Sequence, residues 1–300
     1  MKTTAQISTL NEKYAAMQAQ LRELRRVIVA FSGGVDSTFV LKAAIETLGP
    51  ENVLAVTGRS ASLAFAELDD ARRLAETIGA GHLIIDTDEF QNANYLSNPT
   101  NRCYFCKTTL YTQIETIRVD RSFDAIVNGT NADDLSDYRP GLKAADEHHV
   151  RSPAAEAGLT KAEIRELSRG WELPTHDKPA APCLSSRVQY GEAITPEKLR
   201  RIEAAEALLK RLGFRECRVR HHDNLARIEV PVSDLERLVR EDLSALIDRE
   251  FKALGYHYVT LDLRGFRSGS MNEVISLGIA GNNMKTRRAE PALPLSPPAK

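Results

Sequence analysis

Short apolar segments alternate with amphipathic ones along the first half of the chain. Positions 7–24 carry apolar residues at spacings of three and four, which predicts a helix leading into a buried strand at 26–31. The pattern then repeats, and predicts strands at 52–57, 82–86 and 124–128 and helices at 38–48, 63–78 and 106–117. This alternation predicts an α/β fold, in which a parallel sheet is covered by helices on both faces.

The second half is organised differently. A capping-box sequence from Thr160 to Glu163 opens a short predicted helix, and residues 174–191 then form an aperiodic stretch rich in proline, alanine and serine. We interpret this stretch as a functional loop and as the hinge between two domains. After it, Thr195 and Pro196 open a predicted helix to about residue 212.

The remaining elements predict a smaller C-terminal α+β domain. They are a strand pair at 215–230, a helix at 233–253 that opens on a second capping-box sequence, Ser233 to Glu236, and a strand at 256–263. We therefore expect a nucleotide-binding domain at 1–180, the smaller domain at 181–285 and a disordered tail at 286–300.

Composition narrows the function. The 300 residues carry a formal net charge of −1, with 42% hydrophobic and 27% charged residues, so the whole chain has no electrostatic footprint for nucleic acid. We find no apolar run of membrane-spanning length and no secretory signal layout, and we expect a cytoplasmic protein that binds no membrane. Its four cysteines should stay reduced there, which favours metal-binding or catalytic roles.

One glycine-containing string stands between the first predicted strand and helix. It reads Ser32-Gly33-Gly34-Val35-Asp36-Ser37-Thr38. The glycines allow close backbone approach and positive φ, while Ser37, Thr38 and the free N–H groups of a helix N-terminus can bind a polyphosphate. Asp36 is a candidate catalytic residue, either as a Mg²⁺ ligand or as the group that orients the loop. A plain strand-to-helix turn is the alternative.

The full string resembles the PP-loop of the N-type ATP pyrophosphatases, which have an adenine nucleotide alpha hydrolase-like fold. The resemblance implies that ATP binds with Mg²⁺ and that AMP is transferred to an acceptor oxygen with release of pyrophosphate. It also implies that the ends of two other predicted strands complete the nucleotide pocket. The candidates there are Ser32, Gly33, Gly34, Asp36, Ser37 and Thr38 in the loop, with Thr57, Arg59, Gly129 and Thr130 at the strand ends.

The cysteines fall into three settings. Cys103 and Cys106 form a CxxC pair at the start of a predicted helix, a spacing that suits a metal, an iron–sulfur cluster or a redox disulfide. Cys183 lies in the aperiodic loop. Cys217 alternates with Arg218 on a predicted strand, so we expect it in the core.

Several longer segments resemble the LarE family of ATP-dependent sulfur transferases, which serve nickel-pincer cofactor biosynthesis. They span about residues 20–275 and include SGGVDST, NRCYFCK, GTNADD, DYRPGL, APCLSSRVQYG, RVRHHDNLARIEV and GFRSGSMNE. The resemblance implies a nucleotide substrate, pyridinium-3,5-biscarboxylic acid mononucleotide. A carboxylate is adenylated, and sulfur then displaces AMP to give a thiocarboxylate, with Cys183 at the position of the sulfur-bearing cysteine.

Two ways of supplying sulfur are known in this family. A lone cysteine can give up its own sulfur once, or three cysteines can hold a [4Fe-4S] cluster that delivers an extra sulfur. Because Cys103 and Cys106 accompany Cys183, the resemblance favours the cluster, held by these three residues. A zinc ion and three unconnected thiols remain alternatives.

Arg218, Arg220 and His222 share one face of a predicted strand, and Arg267 follows the last strand. A solvated strand face is the plain interpretation. The resemblance makes the arginines candidate substrate-phosphate contacts. Weaker candidates for acid–base or Mg²⁺ roles are Glu229 and Asp134, and Ser185, Ser186 and Arg187 are expected to shape the loop that presents Cys183.

A tRNA-thiolating PP-loop enzyme is the main rival function, and a non-catalytic nucleotide or metal sensor is another. The former should carry a basic RNA-binding surface, which this neutral chain lacks. The LarE resemblance further implies a homo-oligomer, often a hexamer, and a nickel-inserting enzyme downstream.

Overall fold

The computed structural model describes residues 4–136 and 139–267, with the side chains of the first helix described from Thr9 onward. The helices are α1 (Thr4–Leu24), α2 (Val35–Leu48), α3 (Phe65–Ile78), α4 (Ala93–Leu96), α5 (Arg102–Asp120), α6 (Pro140–Glu147), α7 (Pro153–Glu156), α8 (Lys161–Gly170), α9 (Pro196–Arg211), α10 (Val232–Leu238) and α11 (Glu241–Ala253). The strands are β1 (Val27–Ala30), β2 (Val53–Arg59), β3 (Gly81–Asp86), β4 (Ala125–Val127), β5 (Arg218–His222), β6 (Leu225–Glu229) and β7 (Tyr258–Leu261). The predicted tail at 286–300 and positions 268–273 of the last LarE-like segment lie outside the described residues.

The four strands of the first half form one parallel sheet in the order β3-β2-β1-β4. The chain adds β2 and β3 on one side of β1 and then places β4 on the other side. The direction of winding therefore reverses between β1 and β4, and in open α/β sheets a ligand crevice lies at the carboxyl ends of the strands at such a point. The predicted parallel α/β sheet is confirmed.

Alternate residues of this sheet enter two separate cores. Val27, Val29 and Val127 pack on one face, against buried residues of α1, α2, α3 and α8. Ile28 and Ile126 pack on the other face, against buried residues of α5 and α6. Because both faces are covered, the strands are apolar on both sides rather than alternating with polar residues, which is why they appear as short continuous apolar runs.

A second, three-stranded sheet has the order β5-β6-β7, with β5 and β6 antiparallel and β6 and β7 parallel. Its core contains Cys217, Val219 and Ile228 together with Phe251 of α11. Cys217 is fully buried, as the alternation predicted. Burial, with the charge of Glu206, raises the pKa of its thiol to about 12, which makes it an unreactive core residue.

A small apolar cluster joins the two halves of the chain. Tyr95 of α4 packs there with Leu184 and Val188, and with Leu199 and Ile202 of α9. The segment after residue 180 is thus packed against α4 of the first half as well as against α9 of the second. The domain boundaries at 180 and 285 stay predictions.

The predicted single helix at 233–253 is wrong. The structure has two helices, α10 and α11, separated at Arg240, whose backbone is extended (φ −62°, ψ 137°). The break lets Leu238 of α10 and Ile247 of α11 enter the same core from two directions. The second capping box is also absent, because α10 begins at Val232 after Pro231, before Ser233.

Two helices begin earlier than predicted, and both carry candidate site residues. α2 begins at Val35, so Asp36 and Ser37 lie in its first turn. α5 begins at Arg102, so Cys103 belongs to the helix as well as Cys106. The Thr160 capping box and the Thr195 N-cap are both confirmed. No helix within residues 4–136 and 139–267 is both long and apolar enough to cross a membrane.

Candidate active site

The PP-loop occupies the turn between β1 and α2. Gly33 has a φ of +69°, and a Cβ atom placed on it would lie 3.2 Å from the backbone of Ala71 in α3. Gly33 therefore needs to be glycine for two reasons, conformation and space. Gly34 is extended (φ −81°) and caps α2 without a side-chain hydrogen bond. The N–H groups of the first turn of α2 are thus left for a ligand.

Two serines hold the shape of this turn. The Ser32 N–H donates to Ser37 Oγ at 3.2 Å, and Ser37 Oγ donates to the Gly34 carbonyl at 3.2 Å. Thr38 is fully buried, and its hydroxyl has no hydrogen-bond partner among the described residues. Ser32 and Ser37 thus already serve the loop, while the nucleotide contact predicted for Thr38 stays a prediction.

Asp36 points to the neighbouring loop and not only to its own helix. One of its carboxylate oxygens forms an ion pair with Lys161 Nζ, and the other accepts a 3.3 Å hydrogen bond from Asn131 Nδ2. Lys161 is the first residue of α8 and lies 125 positions away in sequence. A Mg²⁺ ion at Asp36 would have to compete with this ammonium group.

The end of β4 lies against the PP-loop. A Cβ atom on Gly129 would lie 2.6 Å from the backbone nitrogen of Ser37, so no other residue fits there without displacing the loop. The Thr130 N–H donates to Asn128 Oδ1 at 2.9 Å. The Asp134 carboxylate forms an ion pair with Arg139 at 2.7 Å, a contact within the segment that follows β4.

The end of β2 supplies two further candidates in different environments. Thr57 is buried, and its hydroxyl donates to the Phe31 carbonyl at 2.7 Å and lies 2.9 Å from His82 Nε2. Arg59 forms an exposed two-point ion pair with Asp86, with N–O distances of 2.6 and 2.7 Å. Both lie on the carboxyl side of the sheet, and their nucleotide contacts remain predictions.

The three candidate sulfur ligands influence one another electrostatically near the N-terminus of α5. Burial raises the pKa of the Cys103 thiol, and the thiolate charge of Cys183 raises it further. The pKa of Cys106 is raised to about 12 by burial, with further contributions from the charges of Glu89 and Cys183. The thiols are therefore electrostatic neighbours, and we call Cys103, Cys106 and Cys183 the thiol pocket.

Two cations flank the thiol pocket. The charges of Arg102 and Lys107 lower the pKa of Cys103, against burial and the charge of Cys183. This environment and the three soft sulfur donors suit an iron–sulfur cluster or a zinc ion chemically. In the described parts of the chain, however, no three Cys, His, Asp or Glu side chains converge as metal ligands, and all four cysteines are free thiols. Binding one metal centre would require the three thiols to approach one another.

The aperiodic loop at 174–191, here called the thiol loop, is fastened to the first half of the chain. The Leu184 N–H donates to the Ser62 carbonyl at 2.8 Å, just beyond β2. The hydroxyls of Tyr95 and Ser185 lie 2.7 Å apart. Lys178 pairs with Glu67 of α3 at 2.7 Å. These contacts keep Cys183 at the same sheet edge as the PP-loop.

The other side of the thiol loop is held by buried arginines. Arg187 forms a two-point ion pair with Glu206 at 2.8 and 3.1 Å and donates to the Cys183 carbonyl at 3.1 Å. Arg218 donates to the Ala180 carbonyl. Ser185 and Arg187 are buried, so the expected loop-shaping role agrees with their placement.

The predicted basic strand face is covered rather than solvated. Arg218 and Arg220 are only 7% and 5% exposed. Arg220 donates to the Ser186 carbonyl at 2.9 Å and pairs with the fully buried Glu229 at 2.8 Å. Arg267 pairs with Asp262 at 3.2 Å. The plain interpretation of a solvated face is wrong, whereas substrate contacts by these residues stay predictions.

Sequence reasoning missed Lys161, Asn131, Lys178 and Arg102. Each acts over a long sequence distance, and Lys178 bridges the two sites, because its ammonium lies 3.5 Å from the Gly33 carbonyl. A signal existed for Lys161, which follows the N-cap residue Thr160 and is thereby fixed at a helix start. For Arg102 the only signal was its position beside the first cysteine of the CxxC pair.

This chain matches one family model over part of its length and several individual proteins over most of its length. A family model described as NAD synthase matches residues 9–104, which contain the PP-loop. An uncharacterized protein of Synechocystis is 45% identical over 267 residues, 89% of this chain and 99% of its own length. An uncharacterized protein of Methanocaldococcus jannaschii is 30% identical over 81% of this chain and 92% of its own length.

A third relative has a named activity. The pyridinium-3,5-bisthiocarboxylic acid mononucleotide synthase of Lactiplantibacillus plantarum is 39% identical over 271 residues, covering 90% of this chain and 97% of its own length. The chain therefore belongs to the pyridinium-3,5-bisthiocarboxylic acid mononucleotide synthase family, the LarE family.

Proposed function

We propose that this protein is an ATP-dependent sulfur transferase. It adenylates a carboxylate of pyridinium-3,5-biscarboxylic acid mononucleotide and replaces AMP with sulfur, giving a thiocarboxylate. The observation that carries the proposal is the placement of Cys183, whose loop is bonded to Ser62 beyond β2 and to α3 beside the PP-loop. A sulfur-bearing residue at the nucleotide edge of the sheet is what an adenylate intermediate requires.

In the proposed complex, backbone N–H groups bind the phosphates of the nucleotide. The N–H groups of the first turn of α2 and the Gly33–Gly34 turn bind the phosphates of ATP, with Ser32, Ser37 and Thr38 beside them. Lys161, which pairs with Asp36 in the structure, exchanges this carboxylate for a phosphate oxygen in the proposed complex. Asp36 then becomes available to Mg²⁺. Thr57, Arg59, Gly129 and Thr130 border the remainder of the nucleotide.

Adenylation is a single displacement at the α-phosphorus of ATP. A substrate carboxylate oxygen attacks, the bond to the bridging oxygen breaks, and pyrophosphate leaves with the electron pair. The residues' task is to hold both reactants in line and to stabilise the charge that grows on pyrophosphate. Backbone N–H donors and Lys161 supply that stabilisation, and a Mg²⁺ ion held by Asp36 would add to it.

Sulfur transfer depends on the thiol pocket. We propose that Cys103, Cys106 and Cys183 would hold a [4Fe-4S] cluster, and such a cluster would supply sulfide-level sulfur for the transfer. The C–S bond would form as the C–O bond to AMP breaks, and AMP would leave with the electron pair. The protein's share is to place the adenylated carbonyl beside Cys183 and to exclude water. Arg187 and Ser185 do so by fixing the backbone on both sides of Cys183.

The substrate phosphate and carboxylates need cationic partners. Arg218, Arg220 and Arg267 are our proposals for these contacts, with Glu229 and Asp134 in acid–base or Mg²⁺ roles. For Arg218 to bind a phosphate, its guanidinium must release the Ala180 carbonyl, which would couple substrate binding to the thiol loop. We also propose that the protein is a cytoplasmic homo-oligomer, with six chains as the expected number, whose product passes to a nickel-inserting enzyme.

The test is isotope exchange between pyrophosphate and ATP, combined with mass spectrometry of the product. We expect exchange only when the biscarboxylate mononucleotide is present, and a thiocarboxylate product after anaerobic reconstitution. Exchange that proceeds without this acceptor would contradict the proposal. Exchange with tRNA in its place would favour the RNA-thiolating alternative.

A further inference from the structure

We propose that Lys178 is a positioning residue for sulfur transfer: it ties the thiol loop to the PP-loop, so that sulfur at Cys183 reaches the adenylated carboxylate before water does. This inference rests on the proposed function and deepens it, because it assigns a residue to the competition between sulfur and water. The position of Cys183 matters whether a cluster or the cysteine itself supplies the sulfur.

The ammonium group of Lys178 contacts two elements of the nucleotide edge. It pairs with Glu67 at 2.7 Å and with Asp70 at 3.1 Å, both on α3. It also lies 3.5 Å from the carbonyl oxygen of Gly33, in the turn of the PP-loop. Its side chain is only 18% exposed, so these contacts are largely shielded from water. Because Gly33 itself packs closely on Ala71 of α3, one ammonium group contacts both partners of that packing.

The backbone of the same residue is held by another helix. Arg165 of α8 donates to the carbonyl groups of His176 at 2.7 Å and of Lys178 at 2.9 Å. This helix begins at Lys161, the ion-pair partner of Asp36. Both helices that hold Lys178 therefore also carry groups that contact the PP-loop or its first helical turn.

Cys183 lies between two anchored points of the thiol loop. Lys178 precedes it by five positions, and Leu184 follows it with an N–H that donates to the Ser62 carbonyl at 2.8 Å. Residues 179–182 between these points are exposed. Five residues span at most about 18 Å when fully extended, so the Lys178 anchor limits how far Cys183 can lie from the PP-loop. Loss of this anchor loosens the PP-loop side of the segment and leaves the Ser62 side attached.

Two nucleophiles compete for the adenylated carboxylate. In sulfur transfer, a C–S bond forms as the C–O bond to AMP breaks, and AMP leaves with the electron pair. In hydrolysis, a water oxygen attacks the same carbon, AMP leaves in the same way, and the protons of the water pass to solvent, which restores the carboxylate. Sulfur is faster only if it is held close to that carbon and in line. A displaced Cys183 would therefore increase hydrolysis without stopping adenylation.

An ion pair that only stabilises the fold is the competing interpretation. Lys13 offers the matched comparison, because it pairs with Glu163 at 2.8 Å and joins α1 to α8. The two pairs are similarly buried, with side-chain exposures of 28% and 19% for Lys13 and Glu163 and of 18% and 20% for Lys178 and Glu67. If stabilisation were the whole role, Lys13→Met and Lys178→Met would lower the melting temperature alike and leave the ratio of AMP to thiocarboxylate unchanged.

The experiment measures AMP and thiocarboxylate after reaction of ATP and the biscarboxylate mononucleotide with an excess of full-length protein, beside pyrophosphate exchange. We expect Lys178→Met to raise the ratio of AMP to thiocarboxylate about tenfold or more, because a small misplacement of a reacting group slows its attack strongly. Exchange should stay close to wild type. Lys178→Arg, which keeps a cation opposite the two carboxylates, should restore a low ratio, and Lys13→Met should keep the wild-type ratio.

Glu67→Gln provides a second variant, because it breaks the nearer ion pair from α3 and should raise the ratio even if Lys178→Met does not fold. An unchanged ratio in Lys178→Met and Glu67→Gln would overturn the inference, as would an equal rise in Lys13→Met. Reduced exchange with an unchanged ratio would also overturn it, because Lys178 would then serve the PP-loop alone. Wild-type protein that forms no thiocarboxylate would instead refute the proposed function, and this inference with it.

Discussion

The nucleotide edge of the sheet and the thiol pocket are constructed in opposite ways. At the PP-loop, a strand, a turn and a helix that follow one another in sequence bring the candidate binding groups together. Gly33 allows the turn's positive φ and its close packing on α3, and Gly129 allows close packing on the loop. At the thiol pocket, Cys183 comes from a segment about a quarter of the chain length away from the CxxC pair. It is held by side-chain bonds to backbone carbonyls, such as Arg187 to Cys183 and Arg102 to Ser185.

In the proposed reaction, this difference separates nucleotide binding from sulfur delivery. A phosphate site made from backbone N–H groups is fixed when the sheet folds and changes little afterwards. A pocket held by arginines that grip a loop can be rearranged by ligands that compete for those arginines. The two halves of the reaction should therefore respond to different substitutions, and the predictions below run from the largest expected effect to the smallest.

The largest effect is expected from Gly129→Ala. The added Cβ would lie 2.6 Å from the Ser37 nitrogen and would displace the PP-loop. We expect acceptor-dependent pyrophosphate exchange to fall about 100-fold or more, as on loss of a positioned charge-stabilising donor, and sulfur transfer to fall with it. Gly170→Ala is the control, because a Cβ there meets nothing within 4 Å. Wild-type exchange in Gly129→Ala would contradict the assigned nucleotide site.

Cys103→Ala should separate the two regions. We expect it to abolish repeated turnover by removing a cluster ligand, while exchange stays close to wild type because the PP-loop is untouched. Product per chain over time is the measurement. Cys217→Ala, which alters a fully buried thiol of the second core, should retain repeated turnover. Repeated turnover in Cys103→Ala would refute the three-cysteine cluster.

Arg187→Met tests how much the buried ion pair at the thiol loop contributes to the stability of the folded chain. Both partners are nearly inaccessible, with side-chain exposures of 4% and 6%, so the variant leaves the Glu206 charge buried and unpaired. We expect a loss of about 3–5 kcal/mol in the free energy of unfolding, measured by denaturant titration. Arg249→Met, which removes an exposed pair with Glu250, should cost less than about 1 kcal/mol. Similar losses in the two variants would mean that the loop is held by packing alone.

The smallest effect concerns acid stability. Burial lowers the pKa of His82, beneath the nucleotide edge, and of His221 and His222 in β5. The unfolded chain, with histidine pKa values of about 6.5, therefore takes up protons that the folded chain does not. Stability should be full above that pH and fall as pH decreases below it. Melting temperatures from pH 7.5 to 5.5 check this, with His82→Gln and His221→Gln reducing the fall. A pH-independent melting temperature would contradict it.

The sequence predicted the nucleotide edge better than the thiol pocket for a physical reason. Strand, turn and helix are local, so apolar periodicity and the SGGVDS string locate them, and the burial of Cys217 follows from strand alternation. The pairing of Asp36 with Lys161 joins residues 125 positions apart, and no local pattern encodes it. The same limit explains the two helices found at 232–253, because tertiary packing of Leu238 decides the break.

The arginines of β5 show a second limit. Alternation placed Arg218 and Arg220 on one face correctly but could not tell whether water or another segment covers that face. The thiol loop covers it, and its carbonyls replace water around both guanidinium groups. A charged face at regular spacing is therefore compatible with a buried binding surface as well as with a solvated one.

The most direct test of the account is an anaerobic iron and acid-labile sulfide assay with electron paramagnetic resonance on reconstituted protein. We predict about four irons per chain, lost when any one of Cys103, Cys106 or Cys183 is replaced by alanine. The contradictory result is protein without iron whose Cys183 is lighter by one sulfur after a single turnover. In that case the protein spends its own cysteine, and the thiol pocket is not a cluster site.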